Sequence, residues 1–140
     1  MWTTLNGDIR LISMTFKFMD KLPVKETDIQ RQIIRWLYKA GIFCWRNNSM
    51  GVFDPKLKIY RKPNGEGYIN GVSDILGVVK GKMLAIEVKK PGGRISTEQK
   101  EFIERLSSDG HVAFVAYSLD DVIAEFQKRG IISSECALDE

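Results

Sequence analysis

Asp74, Glu87 and Lys89 are of types and at spacings that fit one piece of chemistry. Two carboxylates hold a hard divalent cation, and a lysine beside them stabilises charge on a phosphate oxygen or orients a water. Asp74 opens a short apolar run, Ile75 to Val79; Glu87 and Lys89 close a second, Met83 to Val88. Side chains alternate along a strand, so Glu87 and Lys89 point to one face and Leu84, Ile86 and Val88 to the other. The expectation is one packing face and one charged face. With Lys80-Gly81 as a two-residue turn, Val79 pairs with Lys82 and Asp74 lies opposite Glu87, where Cβ atoms are about 4.5 to 5.5 Å apart. A three-residue bulged turn shifts this register by one. Opposed like charges weaken a sheet by up to about 1 kcal/mol, and a cation shared by both carboxylates compensates. The Val88 carbonyl, between Glu87 and Lys89, completes a set of three protein ligands for Mg²⁺ or Mn²⁺.

Counting removes the competing chemistries. His111 is the only histidine, so one chain supplies neither a two-histidine metal site nor a zinc-protease helix, and no nucleophile elbow accompanies it to make a serine-hydrolase triad. His111 follows a helix stop and opens an apolar strand, the place of a packed or surface histidine. Cys44 and Cys136 are too few for a tetrathiolate zinc site and read as two reduced thiols of a cytoplasmic protein, with a disulfide between them the lesser alternative. Any metal is therefore held by oxygen. No run reaches the roughly 18 apolar residues of a membrane span, and no secretory signal is evident.

The elements that must position these residues fit one domain. The 140 residues are 44% hydrophobic and 28% charged, ordinary globular composition. The formal charge is +3, but Glu135, Asp139 and Glu140 make the last eight residues acidic and leave +6 on residues 1–132. Ile29, Ile33, Trp36, Leu37 and Ala40 predict a helix that starts at Glu26 or, with Thr27 and Gln30 as a capping box, at Asp28, and stops at Gly41. Ile42 to Arg46 reads as a strand, and residues 47–51 as a loop. Residues 54–71 are a turn-rich, basic excursion of a length that is often functional. After the hairpin, Pro91-Gly92-Gly93 breaks the strand, and Ser96-Thr97-Glu98-Gln99 is a capping box opening a helix with Phe102, Ile103 and Leu106 on its buried side. A strand over Val112 to Tyr117 and a helix from Leu119 to about Arg129 complete one α/β domain with a mixed sheet. Residues 1–24 form an N-terminal segment, with Phe16 and Phe18 in a short strand, and residues 133–140 an acidic tail.

Gly71-Val72-Ser73-Asp74, twelve residues, then Glu87-Val88-Lys89 resembles the signature of the PD-(D/E)xK nuclease superfamily. More narrowly, Gly-Val-Ser-Asp-Ile-Leu-Gly, Ala-Ile-Glu-Val-Lys-Lys-Pro-Gly-Gly and Ser-Thr-Glu-Gln-Lys-Glu-Phe are similar to the VRR-NUC family, virus-type replication and repair nucleases, over about Glu26 to Ile123. Ser73 stands where the superfamily pattern has proline, at a position that is not a ligand. The resemblance implies a restriction-endonuclease-like mixed sheet flanked by helices over residues 25–132. It also implies metal ligation by Asp74 and Glu87, with Lys89 as the catalytic lysine. Gln99 matches the family's glutamine on the following helix, either reaching the site or serving only as the N3 partner of Ser96. Glu26 matches the acid on the first helix, either facing the sheet or exposed and favourable to the helix dipole. Trp45-Arg46-Asn47-Asn48 resembles a family segment: Arg46 and Asn47 are candidates to contact DNA, whereas Trp45 is expected in the core. Lys56, Lys58, Arg61, Lys62, Lys90 and Arg94 are either phosphate contacts or a solvated basic surface. The implied activity is Mg²⁺- or Mn²⁺-dependent endonucleolytic cleavage of structured DNA in phage replication or repair. A chain of this size looks like a Holliday-junction resolvase acting as a C2 homodimer. A nuclease of linear duplex or single strands, and a non-catalytic DNA-binding module, are the alternatives.

Overall fold

The computed structural model describes residues 23–48 and 51–133. The Phe16–Phe18 strand, Cys136 and nearly all of segments 1–24 and 133–140 lie outside the described residues. Helix α1 (Glu26–Lys39) leads into strand β1 (Phe43–Arg46). Two short strands follow, β2 (Val52–Asp54) and β3 (Ile59–Arg61), then β4 (Ile75–Val79) and β5 (Lys82–Val88). Helix α2 (Thr97–Ser108), strand β6 (Val112–Ala116) and helix α3 (Leu119–Lys128) complete the order.

The main sheet runs β1-β4-β5-β6, antiparallel except for the parallel pair β5–β6 joined through α2. The β4–β5 register has the expected Val79–Lys82 and Ile75–Ile86 pairs. Lys80 (φ 48°) and Gly81 (φ 73°) both adopt positive φ, the two-residue turn whose twist matches that of a hairpin and whose second position suits glycine.

Helices cover both faces of this sheet. On one, Ile29, Ile33 and Leu37 of α1, spaced four residues apart, and Val122 and Phe126 of α3 pack on Ile75, Leu84, Ile86, Val88 and Phe114. Phe126 meets Trp36 and Phe114 edge-on, with ring centroids 5.6 and 6.2 Å away. On the other, Phe102, Ile103 and Leu106 of α2 lie over Leu76, Ala85 and Ala113.

The expectation of a charged outer face on β5 is therefore corrected. Ala85 and Glu87 are both buried, because the crossover between β5 and β6 lays α2 over them. The excursion after Arg46 also contains a two-stranded sheet, β2–β3, in which Arg61 bonds Asp54 at 3.0 Å and Phe53 packs on Tyr60. Helix α1 starts at Glu26 with Lys25 at its N-cap and no side-chain cap, so the Thr27–Gln30 box does not form. Trp45 is 43% exposed beside Phe43, which is 72% exposed; β1 is an edge strand and α2 does not reach its outer face. Strand β1 starts, and strand β6 ends, one residue inside the expected limit. Among the described residues no helix is long and apolar enough to cross a membrane.

Candidate active site

The site is built where the hairpin opens. Asp74 precedes β4, and continuing the Ile75–Ile86 register puts it opposite Glu87. Its backbone and side chain are both tied down: its carbonyl accepts the Asn47 N–H at 2.7 Å, and its Oδ2 accepts the Val88 N–H at 2.9 Å. Strands β1 and β5 thus hold Asp74 from either side, and the fixed backbone of β5 brings its carboxylate to Glu87.

Glu87 is 1% exposed. Its Oε1 accepts from Lys89 Nζ at 3.1 Å and from Gln99 Nε2 at 2.6 Å. Its Oε2 is buried and has no hydrogen-bond partner among the described residues. Burial, then the charge of Asp74, push the Glu87 carboxyl up to about 7, against the lowering effect of the Lys89 hydrogen bond and charge. A buried carboxyl group with one bare oxygen beside a second carboxylate resists ionisation, and a cation at that oxygen would favour its charged form. The side chains of Asp74 and Glu87 offer oxygen donors of the kind that a hard divalent ion takes. Among the described residues no group of three His, Cys, Asp or Glu side chains forms a metal cluster.

Gln99 unites the two roles kept apart in the sequence. Its Oε1 accepts the Ser96 N–H at 2.8 Å while its backbone N–H donates to Ser96 Oγ at 3.2 Å, closing the capping box, and its Nε2 is the group on Glu87. One flat amide offers acceptor and donor in opposite directions, so capping and reaching the site do not compete. The loop before Asp74 is seated on this turn: Gly71 (φ +78°) comes so close that a Cβ there would lie 2.3 Å from the Glu98 carbonyl carbon. Glu26 is half-buried and its Oε2 accepts the Lys90 N–H at 3.3 Å, so the first helix does reach the end of β5.

The proposed DNA contacts divide into groups. Asn47 and Lys62 line, with Gln99, a cleft of about 670 Å³. Lys90 sits in a shallower hollow on the Glu26 side. Arg46 is exposed at the end of β1, and Arg94 is exposed after the turn that ends β5. His111 is structural, since its Nδ1 accepts the Met83 N–H at 3.1 Å.

Sequence reasoning missed the part of the cleft wall formed by Tyr68 and Asn70. The length of the excursion was the available signal, but its residues meet Asn47 and Gln99 only through folding. Ser73, next to Asp74, is fully buried and its Oγ has no hydrogen-bond partner among the described residues.

Comparison with known proteins adds one match: the model of the VRR-NUC domain fits residues 24–120, well over half of the chain. No curated protein and no solved structure matches it. The chain belongs to the VRR-NUC family, whose domain indicates a nuclease of the PD-(D/E)xK type, and its mixed sheet flanked by helices is consistent with that fold.

Proposed function

We propose that this nuclease is a divalent-metal-dependent endonuclease that hydrolyses DNA phosphodiesters, with Asp74, Glu87 and the Val88 carbonyl as metal ligands and Lys89 as the catalytic lysine. The observation that carries the reading is a buried Glu87 that has Asp74, Lys89 and Gln99 about it and keeps one oxygen without a partner among the described residues. Mg²⁺ or Mn²⁺ held there would supply Lewis-acid polarisation of the scissile phosphate and make water more acidic. The rest falls to the chain. Lys89, its Nζ anchored on Glu87, presents positive charge to the phosphate and positions or helps deprotonate the attacking water. Gln99 fixes the rotamer of Glu87, and Glu26 ties the backbone after Lys89 to α1. Arg46, Asn47, Lys62, Lys90 and Arg94, at the rims around this point, hold the sugar-phosphate backbone.

On the family resemblance, the substrate is branched DNA, with a four-way Holliday junction first among candidates, in the cytoplasm of a cell or of a phage's host. Two symmetry-related cuts call for a C2 homodimer. The test is cleavage of four-way junction, flap, duplex and single-stranded DNA in Mg²⁺, Mn²⁺ or EDTA, beside Asp74→Ala and Lys89→Ala. Metal-dependent cutting is expected, reduced about 10²- to 10³-fold by Lys89→Ala and at least as much by Asp74→Ala. Cutting in EDTA, or cutting indifferent to both substitutions, overturns the mechanism. Paired symmetric nicks confined to the four-way junction select the resolvase; cutting of linear or single-stranded DNA selects the broader nuclease; binding without cleavage selects the non-catalytic module.

A further inference from the structure

The cleft beside the carboxylates has a composition unlike that of a phosphate site. It shares two walls with the site: Gln99, whose Nε2 is 2.6 Å from Glu87 Oε1, and Asn47, whose N–H is bonded to the Asp74 carbonyl. Whatever fills it lies next to the reacting phosphate. Its volume of about 670 Å³ falls in the roughly 300 to 1,000 Å³ of small-ligand clefts. Its lining has one cation, Lys62, and one anion, Glu98, whose carboxyl is held below its ordinary value by hydrogen bonds to its own backbone and to Ser96 and, less, by the Lys62 charge. Lysine and glutamate leave no net positive charge, so a phosphate held by Lys62 belongs at the rim and the interior is left to neutral groups. The remaining polar groups include the amides of Asn47, Asn70 and Gln99, and Tyr68, a residue 63% exposed, also lines the cleft. Neutral donors and acceptors beside an exposed aromatic face are the chemistry that takes a planar heterocycle, by stacking and by hydrogen bonds to its edge.

We infer that this cleft receives one unpaired nucleobase of the strand being cut, next to the scissile phosphate, with Tyr68 as the stacking platform and Asn70 facing the base edge. The inference rests on the nuclease reading and deepens it: the favoured substrate has an unstacked nucleotide at the cut, as at an opened branch point. Gly71 gives the cleft a fixed floor, because its loop backbone sits directly on the first turn of α2.

The test reads binding and needs no cleavage. Fluorescein-labelled oligothymidylate and its abasic counterpart of equal length and charge are titrated with the intact chain in Ca²⁺ and followed by anisotropy. Wild type is expected to bind the base-bearing strand about tenfold or more tighter than the abasic one. Tyr68→Ala, at an exposed position, is expected to bring the two within about twofold of each other with abasic binding unchanged. Trp45→Ala is expected to leave the preference intact. Equal binding of both strands by wild type, survival of the preference in Tyr68→Ala, or its loss in Trp45→Ala overturns the inference. Absent metal-dependent cleavage would sink the nuclease reading; cleavage without a base preference sinks only the cleft.

Discussion

The two faces of β5 are built to different standards. Under α1 and α3, Leu84, Ile86 and Val88 are fully buried among Ile33, Leu37, Val122 and Phe126, all fully buried too. Under α2 the same strand contributes Ala85 and Glu87, and no residue of α2 is itself fully covered. The first face holds large apolar groups that release roughly 1.5 to 3 kcal/mol each on burial. The second is thin, and its end carries a carboxylate that would rather be in water. The dense face carries the fold so that the thin one can hold a carboxyl group out of solvent, at the point where the proposed mechanism brings a cation and a phosphate together.

Cavity variants test this contrast most severely. Phe126→Ala is expected to destabilise the chain by about 3 to 5 kcal/mol, and Phe102→Ala on the thin face by less than half as much, both read from urea unfolding. Equal losses would erase the distinction between the faces.

Glu87→Gln sharpens it by changing sign. It should abolish cleavage yet raise the metal-free melting point at pH 8 by an amount corresponding to about 1 to 3 kcal/mol, since a buried charge that Lys89 only partly compensates becomes a neutral amide. The gain should depend on pH. The folded state holds the Glu87 proton up to about pH 7, against an ordinary value of 4.5, so this residue's contribution is fully present below about pH 4.5 and is lost as pH rises through 7. Melting in EDTA should therefore show the variant's advantage over wild type growing across that window and flat above it; an advantage that shrinks with rising pH contradicts the assignment.

The smallest effect expected is that of Gln99. Gln99→Ala should cost about 1 kcal/mol through the cap and about tenfold in cleavage through Glu87. Gln99→Glu keeps an acceptor for the Ser96 N–H but sets a third carboxylate against Glu87, so cleavage should fall further than stability. Parallel loss of both would mean that Gln99 acts only as a cap.

What the sequence made legible was local. The Lys80-Gly81 turn fixes the register of its own hairpin, and through it the approach of Asp74 to Glu87, without help from distant residues. The Ser96–Gln99 box is likewise complete within four residues. The environment of Glu87 was not legible, because alternation states which side chains share a face but not what covers that face; the cover arrives with the crossover through α2. Trp45 misled for the same reason: an aromatic in an apolar strand is core only if something packs on it. The β2–β3 hairpin, three residues a strand, is too short to print a period. The cleft joins Asn47, residues 62–72 and residues 96–99, and no spacing within one segment announces it.

Gln99 gives the site a lifetime as well as a shape. Helix ends open and reclose far more readily than helix middles, and each opening of the first turn of α2 withdraws the amide from Glu87 along with the cap from Ser96. The readiness of the carboxylate is thus set by how seldom that turn frays, a clock that amide hydrogen exchange at Gln99 and Lys100 would read directly and that the loop seated at Gly71 slows.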